Sequence, residues 1–199
     1  PGIKDKILVL PQPAPNWLTT NKIKSKAKNK IILFYPAAFY PHKKHQFLSI
    51  IDNHLKNKEL ENLDFEIWLT LKDEEFLKFK DVKFLKNLGR LTSEEMNKTY
   101  NKVDALLFLS SMESYGLPLI EALKLNLPIL AVDLKYSRWV CEDTAYYFKP
   151  YEVKSFMYSL DKLIKDIKAE KEVNYTNVLN KFPKNWDIVA ETFLKALKK

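Results

Sequence analysis

Residues 104–125 change hydrophobic period partway along, and a strand-loop-helix turn satisfies both halves. Asp104-Ala105-Leu106-Leu107-Phe108-Leu109 is an apolar run of strand length that ends at Ser110-Ser111. Leu119 to Leu125 reads as a helix with a mostly apolar face. Between them lie Glu113-Ser114-Tyr115-Gly116-Leu117-Pro118, with Glu121 about one turn into the helix. Gly116 allows a ligand to approach the backbone closely, and Pro118 suits the first helical position, where its missing N–H costs nothing. A helix start of this kind presents unsatisfied N–H groups and positive dipole, which favours phosphate.

The same rhythm extends to both sides. The pattern predicts a strand at Ile31–Tyr35 and a helix from about His45 to Lys56 with Phe47, Leu48, Ile51 and Leu55 on one face. A strand at Phe65–Leu71, a short helix at Asp73–Phe79 and a strand at Val82–Leu88 follow. Thr92 or Ser93 with Glu95 opens a helix carrying Met96 and Tyr100, and Ile129–Val132 is a further strand. Alternation of this kind predicts an α/β fold, a Rossmann-like parallel sheet with helices on both faces. Beyond residue 150 the pattern becomes helical. Val153, Phe156, Met157, Leu160, Leu163, Ile164 and Ile167 mark a long amphipathic helix. Lys168 to Lys184 reads as irregular or partly helical, and Trp186 to Leu197 as a final helix.

Composition narrows the function classes. A chain of 199 residues supports one substantial domain, and its apolar and aromatic content suits an ordered core. The single cysteine, Cys141, excludes an internal disulfide framework and reads as a small core residue; a reducing cytoplasm is compatible with it. No apolar run reaches the roughly 18 residues of a membrane span, and Pro-Gly-Ile-Lys is not the start of a signal peptide. Net charge is +8, yet only Arg90 and Arg138 among 33 basic residues are arginine, so nucleic acid is not an expected partner. Weak attraction to an anionic membrane surface is compatible with the charge, which includes a cluster at Lys22, Lys24, Lys26, Lys28 and Lys30. The histidines His42, His45 and His54 lack the carboxylate or thiol pattern of a metal site; His42 and His45 read as turn or cap residues.

At about 1.5 Å rise per residue, Glu121 lies roughly 4–6 Å beyond the helix start, comparable to the length of a diphosphate. A nucleotide sugar laid across the turn places its sugar near Glu113, its diphosphate on the amides around Gly116 and its ribose near Glu121. Carboxylates accept hydrogen bonds from the vicinal hydroxyls that both sugars carry. Each residue also has a plainer reading. Glu121 suits a solvated pair with Lys124, and Glu113 a loop-tip charge stabilised by the helix dipole.

Glu, seven residues, Glu, with Gly-Leu-Pro inside and Ala after, resembles the signature of retaining GT-B glycosyltransferases, especially glycosyltransferase family 4. Tyr35-Pro36-Ala37 through Pro41-His42-Lys43-Lys44-His45 resembles the first phosphate-binding loop of that family's C-terminal domain. Leu127 to Ala131 resembles the strand after the motif helix, and Ala145 to Pro150 the strand and turn closing the nucleotide domain. The resemblance implies an interdomain linker and entry strand at 1–30 and a nucleotide-sugar-binding domain at 31–150. It further implies C-terminal helices at 151–199 that pack back towards an N-terminal acceptor domain missing from this chain. The chain alone is then expected to bind nucleotide but turn over little.

The implied activity is transfer from a nucleoside diphosphate sugar to a glycan or lipid-linked acceptor in surface polysaccharide synthesis, in the cytoplasm or at the inner face of the membrane. No metal or other cofactor is expected, and the chain has no Asp-x-Asp pair of the metal-dependent GT-A kind. The resemblance implies Lys43 on the donor diphosphate, with Lys44 competing for that role, and Glu113 on a donor-sugar hydroxyl. Glu121 takes the ribose, Ser114, Tyr115 and Gly116 act mainly through the backbone, Leu117 also contacts the donor, and Arg90 and Leu91 meet the base. Ala38 stands where many members of the family carry arginine. Arg138 and Trp139 fall in an expected loop after Asp133. A subunit of a split glycosyltransferase and a non-catalytic nucleotide-sugar-binding module are the alternatives.

Overall fold

In the computed structural model, which describes residues 9–20, 30–58 and 63–197, strand and helix alternate as the hydrophobic pattern requires. Strand β1 (Ile31–Tyr35) leads through a 3-10 turn at Pro41–Lys43 into α1 (Gln46–Lys56). Next come β2 (Phe65–Leu69), α2 (Asp73–Phe76) with a 3-10 turn at Leu77–Phe79, β3 (Leu85–Asn87) and α3 (Ser93–Tyr100). Then follow β4 (Ala105–Phe108), α4 (Leu117–Lys124), β5 (Ile129–Val132), α5 (Lys135–Cys141) and β6 (Tyr146–Phe148). Helices α6 (Val153–Lys168), α7 (Thr176–Leu179) and α8 (Trp186–Leu197) finish the chain.

The six strands form one sheet in the order β3-β2-β1-β4-β5-β6, every neighbouring pair parallel. All residues of β4 and β5 are buried, which is why both read as unbroken apolar runs: helices cover the two faces. β1 pairs with β2 on one side, Leu33 opposite Ile67, and with β4 on the other, Leu33 opposite Ala105. The order of strands therefore reverses between β1 and β4. The loops leaving these two strands part company there, and the crevice between them at the carboxyl edge of the sheet is where such folds bind ligands.

The helices bury the faces that their spacing marks. Phe47, Leu48, Ile51 and Leu55 of α1 are buried, as are Phe156, Leu160 and Leu163 of α6. Phe156 meets Phe148 edge-on at 5.2 Å and Phe47 at 5.7 Å, tying α6 and α1 to the end of β6. Helix α8 differs, since none of its described side chains is buried.

Several expectations need correction. Arg138 and Trp139 lie on α5, not in a loop; the Ser137 hydroxyl accepts the Leu134 N–H at 3.1 Å and starts that helix. Pro118 occupies the second helical position, because Leu117 is already helical behind the Gly116 cap. The strands expected at 65–71 and 82–88 close earlier or open later: the Asn87 amide side chain, not a strand partner, holds the Leu71 N–H and C=O. Within residues 1–30, expected to hold the entry strand, Val9 and Leu10 are irregular; Lys6, Ile7 and Leu8 lie outside the described residues, as do Lys22, Lys24, Lys26 and Lys28.

Candidate functional site

The loops after β1 and β4 are joined by hydrogen bonds across the crevice. The His42 carbonyl accepts the Ser111 N–H at 2.7 Å and the Ser111 hydroxyl at 3.2 Å. From below, the buried Tyr35 donates its hydroxyl to the Lys43 carbonyl at 2.6 Å. Tyr136 on α5 donates likewise to the Ser110 carbonyl. Held this way, Lys43 Nζ pairs with Glu113 Oε1, the two side chains only 17% and 11% exposed. Sequence reading assigned these residues to diphosphate and sugar separately; the strand order makes them neighbours. Burial, and then the Glu113 charge, push the Tyr35 and Tyr136 hydroxyls well above their usual range, so both stay protonated as donors.

Gly116 caps α4 with φ of +79°, a left-handed conformation that reaims the chain from loop into helix. The N–H groups of Ser114, Tyr115 and Gly116 find no intramolecular acceptor among the described residues. Free amides at the start of an eight-residue helix, next to the Lys43 ammonium, form an electropositive end of the crevice.

Glu121 is no solvated helix residue. It is 6% exposed, and its Oε2 accepts the hydroxyl of the fully buried Tyr100 at 2.6 Å. Burial raises the carboxyl pKa, and the Tyr100 hydrogen bond offsets part of that. Among the described residues Oε1 has no hydrogen-bond partner, and it is not sealed from solvent. The pair with Lys124, the plainer reading of Glu121, does not form; Lys124 Nζ instead donates to the Pro15 carbonyl at 2.9 Å.

The other expected residues divide. Arg90 is exposed and Leu91 half-buried, in the loop after β3 whose Gly89 has φ of +71° and open space around its α-carbon. That loop is on the carboxyl edge of the sheet, two strands from β1. Lys44 takes the left-handed conformation that ends the 3-10 turn, and its ammonium sits 5.4 Å above the Tyr151 ring. Leu117 is partly exposed at the start of α4, and Ser114 is exposed. Arg138 makes a two-pronged bond to Asp133, at 2.7 and 2.8 Å, over the ring of Tyr147. Cys141 is buried, its thiol pushed up to about 12 by burial. His45 occupies the cap position of α1, but its ring is buried and caps nothing. Among the described residues no cluster of three His, Cys, Asp or Glu could hold a metal ion, and no helix is long and apolar enough to cross a membrane.

Sequence reading missed Tyr35, Ser111, Tyr136 and Tyr100. Ser111, Tyr136 and Tyr100 act across 21 to 69 residues; Tyr35 bonds only eight residues away, at the start of the first loop, but as a buried strand residue carried no sign of that role.

Solved structures resemble this fold at low identity. Sucrose-phosphate synthase from Thermosynechococcus elongatus superposes with a TM-score of 0.65 at 15% identity, over 85% of this chain and 45% of that one. TarM superposes with a TM-score of 0.64 at 18% identity, over 96% of this chain and 38% of its own. The sheet is thus a Rossmann-like fold matching GT-B glycosyltransferase structures. In sequence, 61 residues are 34% identical to the serotype-specific mannosyltransferase WbdA of Escherichia coli, 31% of this chain but 8% of that protein. The chain spans less than half the length of the solved relatives and under a tenth of this sequence relative. Residues 19–178, which include the whole crevice and both glutamates, match the family Glycosyl transferases group 1, and the chain belongs to it.

Proposed function

We propose that this chain is the donor-binding, C-terminal part of a retaining glycosyltransferase of the family 4 type, transferring sugar from a nucleoside diphosphate sugar to a glycan or lipid-linked acceptor. The observation that carries this is the Lys43–Glu113 pair beside the free amides of 114–116, at the point where the strand order reverses. The diphosphate sits on those amides with Lys43 supplying positive charge to the departing phosphate, in the place a metal ion takes in other enzymes. When it engages phosphate, Lys43 releases Glu113 to accept a donor-sugar hydroxyl, and Glu121 Oε1 accepts from the ribose. Arg90 and Leu91 meet the base, and Lys44 is a second cation at the loop. Residues 31–150 then form the nucleotide-sugar domain and 151–199 its C-terminal helices, and the acceptor is bound outside this chain. The stretch of likeness to WbdA supports a place in surface polysaccharide synthesis, and the +8 charge suits work at an anionic membrane face.

A second reading, one subunit of a split enzyme, draws on the uncovered apolar side chains of α8, among them Trp186, Phe193, Leu194 and Leu197. Titration calorimetry with UDP, GDP and ADP, on the chain and on Glu121→Ala, tests the donor site. One diphosphate is expected to bind, with affinity about 10- to 100-fold lower in the variant, as loss of a charged hydrogen bond implies. Equal binding by the variant, or none to any of the three, counts against the assignment.

A further inference from the structure

Tyr115 stands in the crevice loop but its side chain reaches away from the crevice, to two segments distant in sequence. Its hydroxyl donates to the Gln12 carbonyl at 2.5 Å, and its ring meets Phe182 edge-on with centroids 6.4 Å apart. From Gln12, residues 9–20 run over α4, where Lys124 holds Pro15, to α3, where Thr19 and Asn97 exchange hydrogen bonds of 3.0 and 2.8 Å. From Phe182 the contacts continue into α5. Phe182 meets Trp139 edge-on at 5.9 Å, and Lys181 lies over both rings and pairs with Glu142 at 3.0 Å. Leu10, Pro11 and Phe182 line one groove of about 470 Å³ with Ile188 and Val189 of α8.

Neither neighbour of Tyr115 can substitute for it. Ser114 is exposed and Gly116 has no side chain, so one residue carries both links. The amides it shares a loop with are those left without acceptors, so ordering them by a ligand also orders the ring and hydroxyl of Tyr115.

We infer that Tyr115 is a positioning residue that couples occupancy of the 113–116 loop to the placement of residues 9–18 and 180–184, an inference that rests on the donor-site reading above. Coupling is reciprocal: a nucleotide that orders the loop tightens both segments, and whatever orders those segments raises nucleotide affinity by the same factor. The path is one of direct contact, a hydrogen bond to one segment and ring packing to the other.

Hydrogen exchange with mass spectrometry tests this on the chain, Tyr115→Phe and Phe182→Leu. Each is measured free and with UDP, GDP or ADP well above that variant's own Kd. In the unaltered chain, nucleotide is expected to slow exchange at 113–119 and also at 9–18 and 180–184. Tyr115→Phe keeps the ring, so it should lose the protection at 9–18 by about fivefold, the worth of one hydrogen bond, while 180–184 stays protected. Phe182→Leu should do the reverse. A role confined to stability would change the free proteins but not these nucleotide-dependent differences. Protection at 113–119 alone in the unaltered chain, or distal protection that survives both substitutions, overturns the inference. If no nucleotide slows exchange at 113–119 in the unaltered chain, the donor-site reading fails and the coupling, which rests on it, is overturned with it; protection confined to 113–119 overturns the coupling alone.

Discussion

His45 shows how a single side chain in the first loop sets a pH limit on the fold. Its ring is fully buried between Tyr35 and Phe39, with centroids 5.1 and 5.4 Å away, and neither nitrogen has a hydrogen-bond partner among the described residues. Burial lowers its pKa from 6.5 to about 4; the Lys43 charge adds to this, and the nearby Ala37 carbonyl offsets part of it. Between these values the unfolded chain binds the proton and the folded chain does not. Stability is therefore full above about pH 6.5 and falls as pH drops towards 4. At about 1.4 kcal/mol per unit, the loss attributable to this ring approaches about 3 kcal/mol. Urea unfolding at pH 7.5 and 4.5 should show that much less acid sensitivity in His45→Phe than in the unaltered chain, and parallel pH curves would assign the sensitivity elsewhere. The Lys43–Glu113 pair answers to a different measurement. Lys43→Met leaves a nearly buried carboxylate without its partner and should cost about 3 kcal/mol, whereas adding Glu113→Gln should restore part of it. Additive losses in the double-mutant cycle would mean the pair is not coupled.

At the scale of elements, α4 depends on how it begins. A Cβ on Gly116 would stand 3.3 Å from Leu119 Cδ1 in a backbone conformation that L-residues seldom adopt. Gly116→Ala should cost about 1–2 kcal/mol in urea unfolding and weaken nucleoside diphosphate binding as the loop amides turn away; an unchanged midpoint would mean the turn relaxes freely. Helix α3 begins by side-chain chemistry instead. The Thr92 hydroxyl accepts the Glu95 N–H at 3.3 Å, and Glu95 accepts the Thr92 N–H at 2.8 Å. This contrast explains what could be read in advance. The α3 start follows from residues three apart, and β4 and β5 from apolar runs that only two-sided burial allows. Helix α5 was missed because it is seven residues long and opens at Leu134 without a polar cap side chain. The Lys43–Glu113 pair spans 70 residues and the Tyr100–Glu121 bond 21, so each needs the strand order before it becomes visible. The motif residues stood out in the sequence as a candidate site, while the tyrosines bonded to their loops did not.

At the scale of the molecule, the chain divides into a buried sheet and an uncovered last helix. Trp186, Phe193, Leu194 and Leu197 of α8 are 48–68% exposed, on a helix with no buried side chain. Scattered apolar residues on a surface are ordinary, but these four share one side of the helix and form a face whose removal from water would stabilise whatever covers it. Because this face contributes little to the fold of the chain as it stands, Phe193→Ser with Leu194→Ser should leave urea stability within about 0.5 kcal/mol, as surface substitutions do. The same double variant should lower self-association at high concentration in sedimentation velocity, since the face is then less apolar. Nucleoside diphosphate binding should be unchanged, the crevice at β1 and β4 being built without α8. A large loss of stability would instead make α8 part of the core of this domain, and the face would no longer be available to the rest of a longer enzyme or to a partner subunit.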